Sequence, residues 1–179
     1  QFHKKIFIEA RECGNIFVEK PIAENLEDAA QMINAAKNYN INFTVGHVER
    51  FNPVVTEMRK MMGQIGDVYL VNTVRAGPFP RRLYGNPGGV LKDLAVHDVD
   101  IVNHLVGRID EVYSQIIRSG KQEIHANVMF KIKNIIGSSQ FSWVSPKRTR
   151  TIEVYGTNGM LHGDYHQQEL WFYEYPESF

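Results

Sequence analysis

From Gly107 onward the chain is dominated by short stretches in which apolar and polar residues alternate with a period of two, and this constrains the fold most. Segments near 109–118, 123–132, 135–144, 149–155 and 168–175 show the pattern, separated by turn signals at Ser119-Gly120, Lys133-Asn134 and Thr157-Asn158-Gly159. A run of hairpins predicts a largely antiparallel, open sheet with its helices on one face. Alternating strands such as NVMFKIK and GSSQFSW fit an exposed sheet surface, and Val128, Phe130, Phe141 and Trp143 are expected to cover a subunit interface there.

The first fifty residues have a different rhythm. Phe2, Ile6, Phe7 and Ala10 stand at near-helical spacing before Gly14, and NIFVEKP reads as a strand. Leu26, Ala29, Ala30, Ile33 and Ala36 repeat at helical spacing before a second buried strand, INFTVGH. Helix, strand, helix, strand is the order of a parallel α/β sheet. A helix around Val54 to Met62, a strand at 67–75 and a loop rich in Gly, Pro and Arg, AGPFPRRLYGNPGG, then lead into a helix from Leu91 to Val106.

That last helix carries chemistry. At about 100° per residue, Leu91, Leu94, Ala95, Val99, Ile101, Val102 and Leu105 gather on one broad side, while Asp93, His97, Asp100 and His104 fall together on the other. Such a stripe has three readings: a solvated face, a shared metal ion, or a base with its orienting carboxylate. No Cys cluster and no His-Glu-x-x-His run supports the metal. In the third reading Asp93 reaches one ring nitrogen of His97 across a turn and leaves the other to take a proton. Gly88 and Gly89, lacking Cβ atoms, allow a ligand close to the helix start.

In VEKPI, residues 18–22, Pro21 biases Lys20 toward an extended conformation and ends the hydrogen-bonding run. Lys20 therefore projects from the carboxyl end of a strand, the edge where ligands bind in α/β sheets, or is an ordinary lysine at a strand–loop junction.

Bulk properties exclude several classes. Lys plus Arg and Asp plus Glu both number 20, so the chain lacks the basic excess of a nucleic-acid or anionic-membrane binder, and any anion recognition is local. Cys13, the single cysteine, has no intrachain partner, and no run approaches the roughly 18 apolar residues of a membrane span. A soluble, cytoplasmic protein without nucleic-acid or membrane partners is the expectation. The chain opens on QFHKKIFIEARECG, which reads as the interior of a domain.

Taken in order, Glu-Lys-Pro at a strand end, a strand ending in Gly-His, ERFNP, and Gly-Gly followed by Asp-x-x-x-His-Asp-x-Asp resemble the family of glucose-fructose oxidoreductase and inositol dehydrogenase over nearly the whole chain. The resemblance implies an α/β (α+β) fold: residues 1–46 as the C-terminal part of a Rossmann domain binding NAD or NADP, and 47–179 as a substrate-binding and oligomerisation domain with a large, mostly antiparallel open sheet. It implies Lys20, Asp93 and His97 as catalytic residues, Glu19, Lys20 and Pro21 beside the cofactor, no metal, and a cis Lys20–Pro21 bond. It departs from the family in having no G-x-G-x-x-G among its 14 glycines. The 179 residues are therefore expected to be the middle and later part of an enzyme, binding cofactor poorly alone.

The implied reaction is oxidation of a secondary alcohol of a sugar, with hydride passed to NAD or NADP. GHVERFNP and RAGPFPRR resemble the subgroup acting on UDP-N-acetylglucosamine, and Arg50, Arg75, Arg81 and Arg82 are candidate substrate contacts, the last three on the loop as grips for phosphate or carboxylate or as a solvated basic loop. The alternative from another class is a non-catalytic, sheet-mediated assembly or sugar-binding module; a homo-oligomer through the open sheet fits either.

Overall fold

The computed structural model describes residues 2–80 and 88–176. Contacts divide the chain into two compact units, one ending at Val48 and the other beginning at Glu49.

In the first unit, α1 (His3–Glu9), β1 (Asn15–Glu19), α2 (Leu26–Asn38) and β2 (Asn42–Gly46) follow one another. The two strands pair in parallel from Asn15↔Asn42 to Glu19↔Gly46, so their carboxyl ends share one edge. Phe7, Val18, Met32, Ala36 and Ile41 form the core, with Phe43 packed 4.6 Å from Phe7 between ring centres. α2 starts where the Asn25 side chain accepts from the Asp28 amide, and Glu27 and Asp28 sit favourably in its first turn. The Lys20–Pro21 peptide is cis, the isomer the family resemblance implied.

The second unit is a seven-stranded sheet in the order β4-β5-β6-β3-β7-β8-β9 with helices on one face. Its elements are α3 (Pro53–Met61), β3 (Val68–Pro78), α4 (Val96–Leu105), β4 (Glu111–Ser119), β5 (Gln122–Ile132), β6 (Ile135–Ser142), β7 (Val144–Gly156), β8 (Gly159–Asp164) and β9 (Glu169–Glu174). Among the described strands of this sheet, only β3 and β6 pair in parallel. The expected open, mostly antiparallel sheet is what forms. The alternation missed β8 and started β7 late, because Pro146 falls where the β3–β7 register slips between Ala76 and Pro78.

Apolar residues from alternate strand positions, among them Val71, Phe130, Ile152, Val154 and Leu161, pack against Val55 and Met58 of α3 and Ile101 and Val102 of α4. Here one expectation is corrected. Phe130, Phe141 and Trp143 are 5%, 1% and 3% exposed, in the interior under the helices rather than on the open face. The open face instead presents Tyr113, Met129 and Ile136. Period two separates the two faces of a strand but does not say which one is wet.

Candidate active site

The motif ERFNP is accounted for residue by residue. Asn52 caps α3, its side chain accepting from the Val54 amide at 3.0 Å, and Pro53 occupies the first helical position, where its missing N–H costs nothing. Before the cap, a single 3-10 turn over Val48–Phe51 aims two charged side chains at the helix that carries His97. Arg50 forks onto Asp100, Nε to Oδ2 at 2.8 Å and Nη2 to Oδ1 at 2.6 Å. Glu49 accepts from Arg75 Nη1 at 2.8 Å and from Asn52 Nδ2 at 3.3 Å.

Arg75 completes the set. Its Nε donates to Asp98 Oδ1 at 2.8 Å, Nη2 lies 2.7 Å from the same oxygen, and the guanidinium stacks 5.6 Å from the ring centre of buried Tyr165. Burial alone would disfavour its charge, but the facing carboxylates of Asp98 and Glu49 outweigh that and hold its pKa above that of a free arginine. Burial likewise opposes the Glu49 charge, and Arg75 again outweighs it, keeping this carboxyl below the usual glutamate range; His97 acts in the same direction. Asp98 is more deeply buried, and there desolvation prevails and raises its pKa despite Arg75.

Two carboxylates that follow His97 on its own helix are thus anchored, Asp98 on Arg75 and Asp100 on Arg50. Asp93 sits four residues before it in a π-helical turn, Leu91–Ala95, that opens the helix. Turns of this kind are enriched at functional sites. Asp93 and His97 are both partly buried. The stripe is therefore not a solvated face: Asp100 is 8% exposed, and His104 sits 3.2 Å from an Arg59 nitrogen, its pKa lowered by burial and then by Arg59 and Arg50. Among the described residues no group of three His, Cys, Asp or Glu is placed to hold a metal ion.

Two sequence expectations change. Arg75 was assigned to a loop contacting substrate; it lies on β3, 2% exposed and paired with two carboxylates, so it holds the scaffold instead. Gly89 serves packing: a side chain there would collide with Glu123 of β5, so its missing Cβ lets the helix start lie against the sheet. Arg81 and Arg82 lie outside the described residues. Asp98 and Glu49 were missed, although the helical wheel held the signal. At about 100° per residue Asp98 falls in the middle of the apolar side, and a carboxylate there requires a buried cation. Lys20, Glu19 and Pro21 belong to the first unit, at the end of β1.

Comparison with known proteins follows this geometry. A model of the GFO/IDH/MocA C-terminal domain matches residues 55–162. Scyllo-inositol 2-dehydrogenase (NAD(+)) of Bacillus subtilis is 32% identical over 110 residues, covering 59% of this chain and 32% of that protein. The 2,7-anhydro-N-acetylneuraminate hydratase of Escherichia coli is 32% identical over 124 residues, covering 64% and 33%. Among solved structures, UDP-N-acetylglucosamine 3-dehydrogenase from Acidithiobacillus ferrooxidans superposes with a TM-score of 0.87 at 20% identity, covering 97% of this chain and 57% of that one, a likeness of fold. The chain thus spans about a third of the length of these two curated relatives.

Proposed function

Because this chain belongs to the GFO/IDH/MocA family, we propose that it is the substrate-bearing part of a nicotinamide-dependent dehydrogenase that oxidises a secondary alcohol of a sugar. The observation that carries this reading is the mounting of His97: one histidine on a helix where the aspartates that follow it are tied down by Arg75 and Arg50. A base fixed by its neighbours meets the substrate without reorganising, which is the condition for efficient proton transfer.

In the proposed reaction His97 takes the hydroxyl proton, and Asp93 orients the imidazole and stabilises the imidazolium that forms. The family resemblance gives Lys20 a catalytic role, in which its positive charge would offset a developing alkoxide. The fit of NAD or NADP rests on the first unit, whose parallel strands end together at Glu19 and Gly46 on the edge where nucleotides bind in such sheets. Glu19, Lys20 and Pro21 would border the cofactor there, and the nicotinamide, when bound, supplies the hydride acceptor. In this proposal residues 1–46 close the cofactor domain, 47–179 carry the substrate, and the open face of the sheet joins two copies. Named relatives act on inositols and on nucleotide sugars, and UDP-N-acetylglucosamine is the first substrate candidate because the loop RAGPFPRR resembles that subgroup.

The test is turnover of the full-length protein with NAD or NADP and a panel of UDP-N-acetylglucosamine, N-acetylglucosamine and scyllo-inositol. Reduction of the cofactor by at least one of them is expected. If only the neutral sugars are oxidised, the nucleotide-sugar assignment fails; if none is, the dehydrogenase assignment fails.

A further inference from the structure

β3 and β7 run antiparallel with Arg75 directly opposite Arg150. Directly opposed residues share a face, and this face is the interior one: Val71 and Thr73 on β3 and Ile152 and Val154 on β7 are all buried on it. The two arginines differ in their partners. Arg75 has Asp98 and Glu49. Arg150 is half-buried, and among the described residues it makes no salt bridge. Two residues before it, where the β3–β7 register slips, Arg148 is exposed, its stem 3.5 Å from where a side chain on Gly77 would begin.

Three guanidinium groups therefore meet two carboxylates, Glu49 and Asp98, leaving a positive charge in surplus. Stability does not explain the arrangement, since half-burying an unpaired arginine beside two others costs desolvation and repulsion. Burial first, and then Arg75 and Arg148, weaken the hold of Arg150 on its own proton, with Glu49 and Asp98 opposing only in part. A cation in this state gains from an anionic ligand, and perturbed groups of this kind concentrate at functional sites. The surplus also borders the candidate base, because Glu49 bonds Arg75 and feels the charge of His97.

Resting on the dehydrogenase reading above, we propose that Arg150, assisted by Arg148, is the anion-binding element of the substrate site and grips a diphosphate or a carboxylate carried by the sugar beside His97. The planar fork of arginine suits either group through paired hydrogen bonds. This replaces Arg75, which is buried against Asp98 and Glu49.

Calorimetry on the full-length protein tests the proposal without requiring turnover. UDP-N-acetylglucosamine represents the diphosphate, glucuronate the carboxylate, and N-acetylglucosamine the neutral control. At least one anionic ligand should bind the wild type, lose about 10- to 100-fold in affinity in Arg150→Gln, and recover part of it in Arg150→Lys, while the neutral sugar is unaffected. Loss confined to the UDP-sugar identifies the diphosphate, and loss confined to glucuronate the carboxylate. The proposal is overturned if neither anion binds the wild type, if Arg150→Gln binds anions as well as wild type does, or if it weakens the neutral sugar equally. Should Arg150→Gln fail to fold, exposed Arg148→Gln decides: a several-fold loss for the anion alone supports the proposal and unchanged affinity overturns it. Intact anion selectivity with no oxidation of any sugar would count against the dehydrogenase reading alone.

Discussion

Arg75 and Asp98 meet in the interior of the second unit with 2% and 1% of their side chains exposed, Nε to Oδ1 at 2.8 Å. One comes from the central region of the sheet and the other from the helix next to His97, so the pair ties the candidate base to the most rigid part of the domain. A buried pair contributes little over an apolar replacement, yet removing one member leaves an uncompensated charge.

Asp98→Asn is therefore expected to destabilise the protein by about 3–5 kcal/mol. Urea unfolding measures it. Arg75→Met combined with Asp98→Leu should recover much of the loss while activity stays low, since packing is restored but the helix is no longer pinned. A double variant as unstable as the single one would contradict this.

Glu49 predicts a pH dependence. Its pKa is lower folded than unfolded, so its contribution is present above the ordinary glutamate pKa and lost as pH falls through the folded value. Glu49→Gln should cost about 1–3 kcal/mol at pH 7, and the gap to wild type should shrink below pH 4.5. Thermal unfolding of both proteins from pH 7 to pH 3 checks this, and a constant gap would refute the assignment.

The two faces of the sheet should respond differently to substitution. Met129→Lys with Ile136→Lys, both on the open face, is expected to shift the proposed oligomer toward monomer in sedimentation with little loss of stability. Phe130→Ala, under the helices, should cost about 3–5 kcal/mol and leave the oligomer intact wherever the protein is folded. The reverse pattern would place the interface elsewhere.

Most strands of the second unit, β8 excepted, and the helices of both were readable because their apolar spacing carries the signal, as in Ile152 and Val154 of β7, although in α2 Met32 and Ala36 are buried while Leu26 and Ile33 are exposed. The wet side of β5 and β6 was not, since Phe130 and Met129 are both large and apolar and only tertiary packing chooses between them. Among candidate site residues, the shared helix side of Asp93 and His97 was legible from helical spacing, and the wheel also placed Asp98 on the apolar side. Its partner Arg75, and the Arg75–Glu49 pair, depend on contacts 23 and 26 residues apart in sequence, which no local pattern encodes. Arg150 fell within the strand expected at 149–155, but its place opposite Arg75 comes from the pairing of distant strands.

The most direct test of the account is the turnover of His97→Ala in the full-length protein, measured as reduction of NAD or NADP with UDP-N-acetylglucosamine or whichever sugar the wild type oxidises. Loss of a general base predicts a fall in kcat of about 10²- to 10⁴-fold with binding of substrate largely retained. A variant that oxidises the sugar at the wild-type rate would contradict the central assignment of His97 as the base.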